Sequence, residues 1–367
     1  MMKKCYSVLE ANLTYMVMAF VFMTVGAYVQ GRSFVSGIFI TEYLLVLAPV
    51  LLVGYLRKID MKKALRLNKL PFKHVMIIVG IAWALLPTVA FVNTLTIYFL
   101  SLVDKVLIPP IPTATNLGEL TLYMFLISLS AGLCEEFFFR GMMLNAFESS
   151  INKKWGVILS AVLFGVFHFN MQNLLGPIVL GIVFGYLVQL TDSIWAGVVA
   201  HAANNGTAVI LGYLGSLASS SEMMEETQQA SLNDSSQLLM TLAFLLVVAG
   251  GLWYVILRLI KALRNDINNF EENTKFRIRG VDYLVLSQYN GSVAAIRTEA
   301  LKGPEDEAMQ EVKNIELAKL KRLNPQNLVK VWNDPVQSRQ KWVHYLPWLG
   351  VILIYGWYVH MHLNYIG

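Results

Sequence analysis

The chain has 367 residues, of which 56% are apolar and 14% charged, and its formal net charge is +5. Soluble domains carry about 25% charged residues. A single water-soluble core is therefore excluded, and an all-α, polytopic transmembrane helix bundle is expected. The two cysteines, Cys5 and Cys134, are too few for a disulfide framework, and no nucleic-acid partner is expected.

A membrane-spanning helix needs about 20 mostly apolar residues. Candidate stretches lie at roughly 13–30, 37–56, 75–101, 119–147, 155–171, 175–191, 194–216, 238–258 and 345–364, so the bundle should hold eight to nine spans. The first is uncharged from Leu13 to Gln30 with no small-x-small cleavage site after it, which reads as a retained anchor rather than a signal peptide. The fourth contains Glu135, Glu136 and Arg140. The fifth and sixth come from one uncharged run, Trp155 to Thr191, interrupted by Asn170, Gln172, Asn173, Gly176 and Pro177. Both halves are short, which suits helices enclosed by others and shielded from lipid.

Lysine and arginine set the orientation. With Lys3 and Lys4 in the cytoplasm, the 57–74 loop falls inside with seven basic residues, as do Lys153, Lys154 and the fifteen basic residues from Arg258 to Lys341. Outside loops receive Arg32 and Lys105, and the 217–237 loop holds Glu222, Glu225, Glu226 and Asp234 with no Lys or Arg. The expected location is a bacterial plasma membrane, with the N-terminus cytoplasmic and membrane lipids as partners. The domains are expected as a transmembrane bundle over 1–258, a small α+β cytoplasmic insert over 259–344, and a C-terminal transmembrane helix over 345–367. In the insert, Phe276 to Arg297 has the alternation and the Tyr-Asn-Gly turn of a β-hairpin. Glu305 to Leu323 spaces Met309, Val312, Ile315, Leu317 and Leu320 like an amphipathic helix. The basic residues of the insert suit a surface of anionic lipid.

An ionised carboxylate at bilayer depth costs on the order of 3 kcal/mol, so one retained there usually has a task. Residues four apart on a helix share a face. Glu136 and Arg140 are therefore neighbours, whereas Glu135 is turned about 100° away and has no partner on its own helix. Glu135 reads as a general base with the Glu136–Arg140 pair behind it. The alternative makes both acids part of a buried ionic staple. Phe137, Phe138 and Phe139 would keep such a site dry. Downstream, Phe164-Gly165-Val166-Phe167-His168 and His201-Ala202-Ala203-Asn204-Asn205 each bring a histidine into an apolar segment. His201 and Asn205 share a face. Either histidine alone would ordinarily be a packed core residue. Counted along their helices at 1.5 Å per residue, Glu135, His168 and His201 fall about 10–20 Å below the cytoplasmic surface, so the three elements can meet in one cavity. Cys134 reads as small packing. Cys5, His74, His344, His360 and His362 read as loop or interface residues.

Glu-Glu-x-x-x-Arg, Phe-x-x-x-His and His-x-x-x-Asn, in this order over Glu135 to Asn205, resemble the motifs of the CPBP family of intramembrane proteases. That family comprises the CAAX prenyl endopeptidases (Rce1-type) and the bacteriocin-processing, or Abi, proteins. The family-like helical core would run from about residue 75 to 216, and residues after 217 are left uncovered. The resemblance implies that Glu135 is the general base and that His168 helps activate the water. It implies that His201 and Asn205 stabilise the oxyanion, and Glu136 and Arg140 match motif positions. The implied function is a metallo- or glutamate-dependent intramembrane endopeptidase. It would hydrolyse a peptide bond of a membrane-associated peptide or lipidated protein, prenylated or leader-type, near the cytoplasmic face. Members are often described as metalloproteases, and Glu135, His168 and His201 could hold Zn²⁺ with an open position. A metal-free route with glutamate-activated water fits the same residues, and the chain has no His-Glu-x-x-His. Two other classes compete. One is a non-proteolytic membrane scaffold or bacteriocin immunity protein of the same fold. The other is a transporter using the glutamate as a proton relay, which the lack of an inverted repeat disfavours.

Overall fold

The computed structural model of the protein describes residues 5–103, 112–218, 230, 234–267, the strand segments between 275 and 316, and residues 345, 348, 350, 352, 353 and 356. The chain divides into two compact units, Met1–Lys261 with Ser338–Gly367, and Ala262–Gln337. The helices in chain order are α1 (Val8–Arg32), α2 (Phe34–Leu56), the single turn α3 (Met61–Ala64), α4 (Phe72–Ser101), α5 (Leu117–Ser150), α6 (Lys153–Phe167), α7 (Leu175–Thr191), α8 (Ile194–Ala218) and α9 (Ser235–Ile267). Six of them, α1, α2, α4, α5, α8 and α9, are long and apolar enough to cross a membrane. The protein is thus an integral, multi-pass membrane protein built as a polytopic helix bundle. The expected ninth span, 345–364, lies outside the described residues apart from isolated positions. One of these, Trp348, donates its indole Nε1–H to Asn12 Oδ1 at 2.8 Å.

Local chemistry explains where the helices begin and end. α1 starts at Val8, earlier than its apolar run, because Ser7 and Glu10 form a reciprocal capping box. Asn116 caps α5 and Asn152 caps α6, each accepting from a backbone N–H three residues on. The fifth expected span stops short at Phe167, and a loop carries His168 before α7 begins. α9 continues beyond its apolar stretch through Arg258, Lys261 and Arg264, all good helix formers. α2 and α5 contain π-helical turns, among them Ile40–Leu47 and Phe137–Leu144. The second of these directly follows Glu136, and such widened turns often occur at functional sites.

The core that supports α5 is aromatic. Phe138 and Phe139 are fully buried and pack edge to face, with ring centroids 4.9 Å apart. Tyr15 of α1 stacks on Phe138 and donates its hydroxyl to the Leu163 carbonyl of α6 at 2.8 Å. At one end of the bundle the loop between α3 and α4 is clasped to three helices. Arg66 Nη2 pairs with Glu148 of α5 at 2.7 Å, and Asn68 Nδ2 donates to the Asp192 carbonyl after α7 at 2.7 Å. Ser193 Oγ donates to the Asn68 carbonyl at 2.7 Å, Ile194 N of α8 to the Arg66 carbonyl at 3.0 Å, and Gln189 of α7 to Glu148 at 2.8 Å.

The second unit contains an antiparallel sheet of four strands in the order β1 (Lys275–Ile278), β2 (Val281–Tyr289), β3 (Ser292–Arg297) and β4 (Lys313–Glu316). The expected hairpin is β2–β3, with Tyr289 opposite Ser292, and Asn290 and Gly291 at its turn lie outside the described residues. The expected amphipathic helix over Glu305–Leu323 is corrected where it is described. Residues Lys313–Glu316 are a strand, with Ile315 opposite Val293. Pairing with the β3 edge outweighs a weak helical pattern there, since strand formation depends on partners more than on intrinsic preference. The rest of that segment lies outside the described residues.

Candidate active site

Glu136 and Arg140 sit one turn apart on α5, and neither side chain has any solvent exposure. Arg140 Nη1 donates to Glu136 Oε1 at 2.6 Å. The guanidinium lies over the Phe164 ring of α6 at 4.4 Å and near the Phe184 ring of α7 at 5.8 Å, so three helices enclose it. The same Glu136 Oε1 accepts from His201 Nδ1 on α8 at 3.0 Å. A carboxylate can only accept, so the Nδ1 proton is fixed on His201 and its Nε2 faces the other way. Glu135 Oε2 stands 3.9 Å from that Nε2.

This arrangement requires α5 and α8 to approach closely, and small residues allow it. A Cβ on Gly197, one turn before His201, would collide with Glu136 Oε2. A Cβ on Gly132 would lie 3.3 Å from the Ala202 backbone nitrogen. Ser128 Oγ of α5 donates to the Ala202 carbonyl at 2.8 Å. Small residues at such contacts let membrane helices pack backbone to backbone.

His168 follows the last residue of α6. Its Nδ1 bonds the Phe164 carbonyl at 2.9 Å, which leaves Nε2 with a free lone pair. The Phe164 ring lies 4.9 Å from the His168 ring and 5.7 Å from the His201 ring, so one phenyl group separates the two histidines. Asn205 lies one turn beyond His201. Its Nδ2 donates to the Ile127 carbonyl at 3.0 Å and its Oδ1 accepts from Asn204 at 3.1 Å, so one of its two amide protons remains for another acceptor.

All six residues singled out from sequence therefore sit on α5, at the end of α6 and on α8. Glu135, Glu136, Arg140 and His201 form one connected set. His168 reaches it through Phe164, and Asn205 extends it along α8. Several buried polar atoms here have no hydrogen-bond partner among the described residues: Glu135 Oε2, Glu136 Oε2, Arg140 Nε and Nη2, and Asn204 Oδ1. Among the described residues no three His, Cys, Asp or Glu side chains are grouped to hold a metal ion. Glu135, His168 and His201 as placed do not fit a common Zn²⁺.

One acid was missed. Glu42 lies in α2, is 6% exposed, and its Oε2 has no partner among the described residues. The Tyr43 hydroxyl and Ser130 Oγ, 3.0 Å apart, join α2 to α5 beside it. The available signal was a single acid inside the otherwise uncharged 37–56 stretch. Gly197 was missed as well, because its role appears only once α8 faces Glu136.

Residues 117–207 match the family model of the Type II CAAX prenyl endopeptidase Rce1-like proteins. An 89-residue stretch is 30% identical to YdiL of Bacillus subtilis (strain 168), whose name marks it as a candidate membrane peptidase; the match covers 24% of this chain and 36% of that relative. The chain thus matches only about a third of that protein's length. No solved structure matches the chain. The segment that matches the Rce1-like family model runs from α5 to the middle of α8 and holds all three motifs.

Proposed function

We propose that the protein is an intramembrane endopeptidase in which Glu135 activates water to hydrolyse a peptide bond. The observation that carries this reading is the contrast between the two neighbouring acids. Glu136 is held through Oε1 by both Arg140 and His201, whereas Glu135 Oε2 has no hydrogen-bond partner among the described residues and faces His201 Nε2. An acceptor held without a partner beside a fixed imidazole is suited to take a proton from a bound water. The hydroxide attacks the carbonyl carbon of the scissile amide. His168 Nε2 orients the water by accepting its second proton in a hydrogen bond. With a proton on Nε2, His201 donates to the developing oxyanion, and the spare amide proton of Asn205 does the same. Glu135 then returns its proton to the leaving amine, which leaves one acid and one amine from one amide and one water. A step routed through Glu135 is favoured by the absence, among the described residues, of a group of three metal-ligating side chains.

The match of residues 117–207 to the Rce1-like family model supports a peptide or lipidated protein as substrate. The charge asymmetry supports a plasma membrane of bacterial type, with the N-terminus and the 259–344 insert in the cytoplasm and cleavage near that face. Two experiments test these statements separately. Purified protein in detergent should cleave a quenched membrane-peptide library, and Glu135→Gln protein should not. A scaffold or immunity protein of the same fold would show no cleavage in either form. For orientation, single cysteines at Ser221 and Ser287 are introduced into protein lacking Cys5 and Cys134. A membrane-impermeant maleimide added to intact cells should label the Ser221 site and spare the Ser287 site. Labelling of Ser287 would invert the topology and remove the basis for a cytoplasmic cleavage face.

A further inference from the structure

We propose that Asn93, in the C-terminal third of α4 and outside the family-matched segment, is a positioning residue for His168. It acts as a helix cap supplied from a neighbouring helix. The inference rests on the reading of His168 as part of the hydrolytic set.

α7 begins without a cap of its own. The residue before it, Leu174, offers no side-chain acceptor to the first free N–H groups. In water such groups are solvated, but within an apolar bundle each one left bare costs far more. Asn93 Oδ1 accepts from the Gly176 N–H at 2.9 Å, the bond that an N-cap Ser, Asp or Asn ordinarily supplies from within the chain. The other half of the same amide reaches the preceding loop, with Nδ2 donating to Asn173 Oδ1 at 2.7 Å. Asn170 Oδ1 in turn accepts from the backbone N–H groups of Gln172 and Asn173 at 2.9 and 3.2 Å. A continuous run of hydrogen bonds therefore leads from α4 to the residue two positions after His168.

Three further features show why the loop needs such a hold. Phe169, directly after His168, adopts a left-handed conformation with φ 46°, which bulky residues rarely take. It is also buried, so the turn cannot relax outward. Gly176 leaves room for the clamp, since a Cβ there would sit 2.6 Å from Asn93 Oδ1. Gly165, three residues before His168, lets the end of α6 rest on the start of α7. A Cβ there would lie 2.9 Å from the Leu174 carbonyl oxygen. The His168 ring is fixed to α6 by its own bond to Phe164. Its position relative to Glu135 then depends on how the α6–α7 hairpin is seated, and Asn93 seats it.

The test uses full-length protein with Cys5→Ser and Cys134→Ala, carrying a single cysteine at Met171 in the loop or at Lys58 as a distant control. Asn93→Leu removes both amide bonds with little change of volume. Maleimide labelling at the Met171 site should rise about tenfold or more, while labelling at the Lys58 site stays unchanged. On the quenched peptide, kcat should fall about 10- to 100-fold with KM within about twofold, the pattern of a displaced catalytic group. Asn93→Asp, which keeps the acceptor for Gly176, should lie between Asn93→Leu and wild type. Gly176→Ala, whose methyl group displaces the Asn93 amide, should repeat the Asn93→Leu result and guards against a folding failure of the first variant. Unchanged labelling at Met171 overturns the inference. So does unchanged kcat, or faster labelling at both cysteines with a lowered thermal midpoint, because that marks general loosening. If wild-type protein cleaves nothing, the hydrolase reading fails, and the labelling experiment still decides whether Asn93 holds the loop.

Discussion

The bundle contains two polar networks of similar size, and they differ in how completely their atoms are satisfied. The clasp formed by Arg66, Asn68, Glu148, Gln189, Asp192 and Ser193 lies at the helix ends. Its ion-paired side chains keep 14–32% exposure, and none of its side-chain atoms is left buried without a partner. The network of Glu135, Glu136, Arg140 and His201 lies inside, with exposures of 0–15%, yet among the described residues one oxygen on each acid and two nitrogens on Arg140 have no hydrogen-bond partner. Holding unsatisfied charge in an apolar interior is costly, and native structures keep such groups chiefly where they work. The clasp is therefore read as architecture. The inner network is read as a site in which Glu136 and Arg140 are structural and Glu135 is kept available.

The largest expected effect separates Glu135 from everything around it. Glu135→Gln should reduce peptide cleavage by about 10²- to 10⁴-fold, the usual range for loss of a general base. Its thermal midpoint in detergent should stay level or rise, because the substitution removes an unpaired carboxyl from apolar surroundings. A marked drop in midpoint would mean that Glu135 is a structural acid, and the contrast with Glu136 would collapse. Glu136→Gln should behave in the opposite sense. It strands the buried Arg140 guanidinium, a loss of about 3–5 kcal/mol in stability. Activity should fall with it, since His201 loses its anchor. The double variant Glu136→Gln/Arg140→Gln should recover much of the stability and none of the activity, because removing both charges leaves neither one stranded. Thermal shift and cleavage measured on the same preparations would check all three variants.

Legibility from sequence followed the same division. Charged and imidazole groups stand out in apolar runs, so Glu135, Glu136, Arg140, His168, His201 and Asn205 could be found, and their order carried the family resemblance. The i,i+4 rule also gave the Glu136–Arg140 pair within α5, because that bond is local. The bond from Glu136 to His201 spans 65 residues, and nothing in either motif announces it. Glu42 and Asn93 were missed for a related reason. Each lies on a helix before the motif-bearing segment, and only packing brings α2 and α4 against it. Helix ends were legible where a cap was local, as the Ser7–Glu10 box shows in hindsight. They were not legible where the cap came from another helix, as at Gly176. The strand over Lys313–Glu316 escaped because its pattern is weak and its partner, β3, sets the outcome.

The smallest expected effect comes from the clasp, and it sharpens the comparison from the other side. Arg66 joins the 57–71 loop to α5 through Glu148 at 2.7 Å and approaches Asp192 at 3.7 Å. Its side chain is 14% exposed, so its ion pair with Glu148 is only partly screened. Removal of the guanidinium by Arg66→Ala leaves Glu148 still bonded to Gln189 and Asp192 still bonded to Asn68. No charge is stranded in an apolar interior. The loss should therefore be about 1–2 kcal/mol, between that of an exposed pair and that of a buried one. Cleavage measured well below the thermal midpoint should keep its wild-type kcat and KM, since the bonds that make the clasp run between the 57–71 loop and the ends of α5, α7 and α8. Two results would undo the division. A midpoint loss as large as that of Glu136→Gln would show that the clasp bears as much of the fold as the inner pair. A fall in kcat at unchanged midpoint would show that the seating of the loop against α7 and α8 reaches the site, and Arg66 would then belong with Asn93 among the residues that position it.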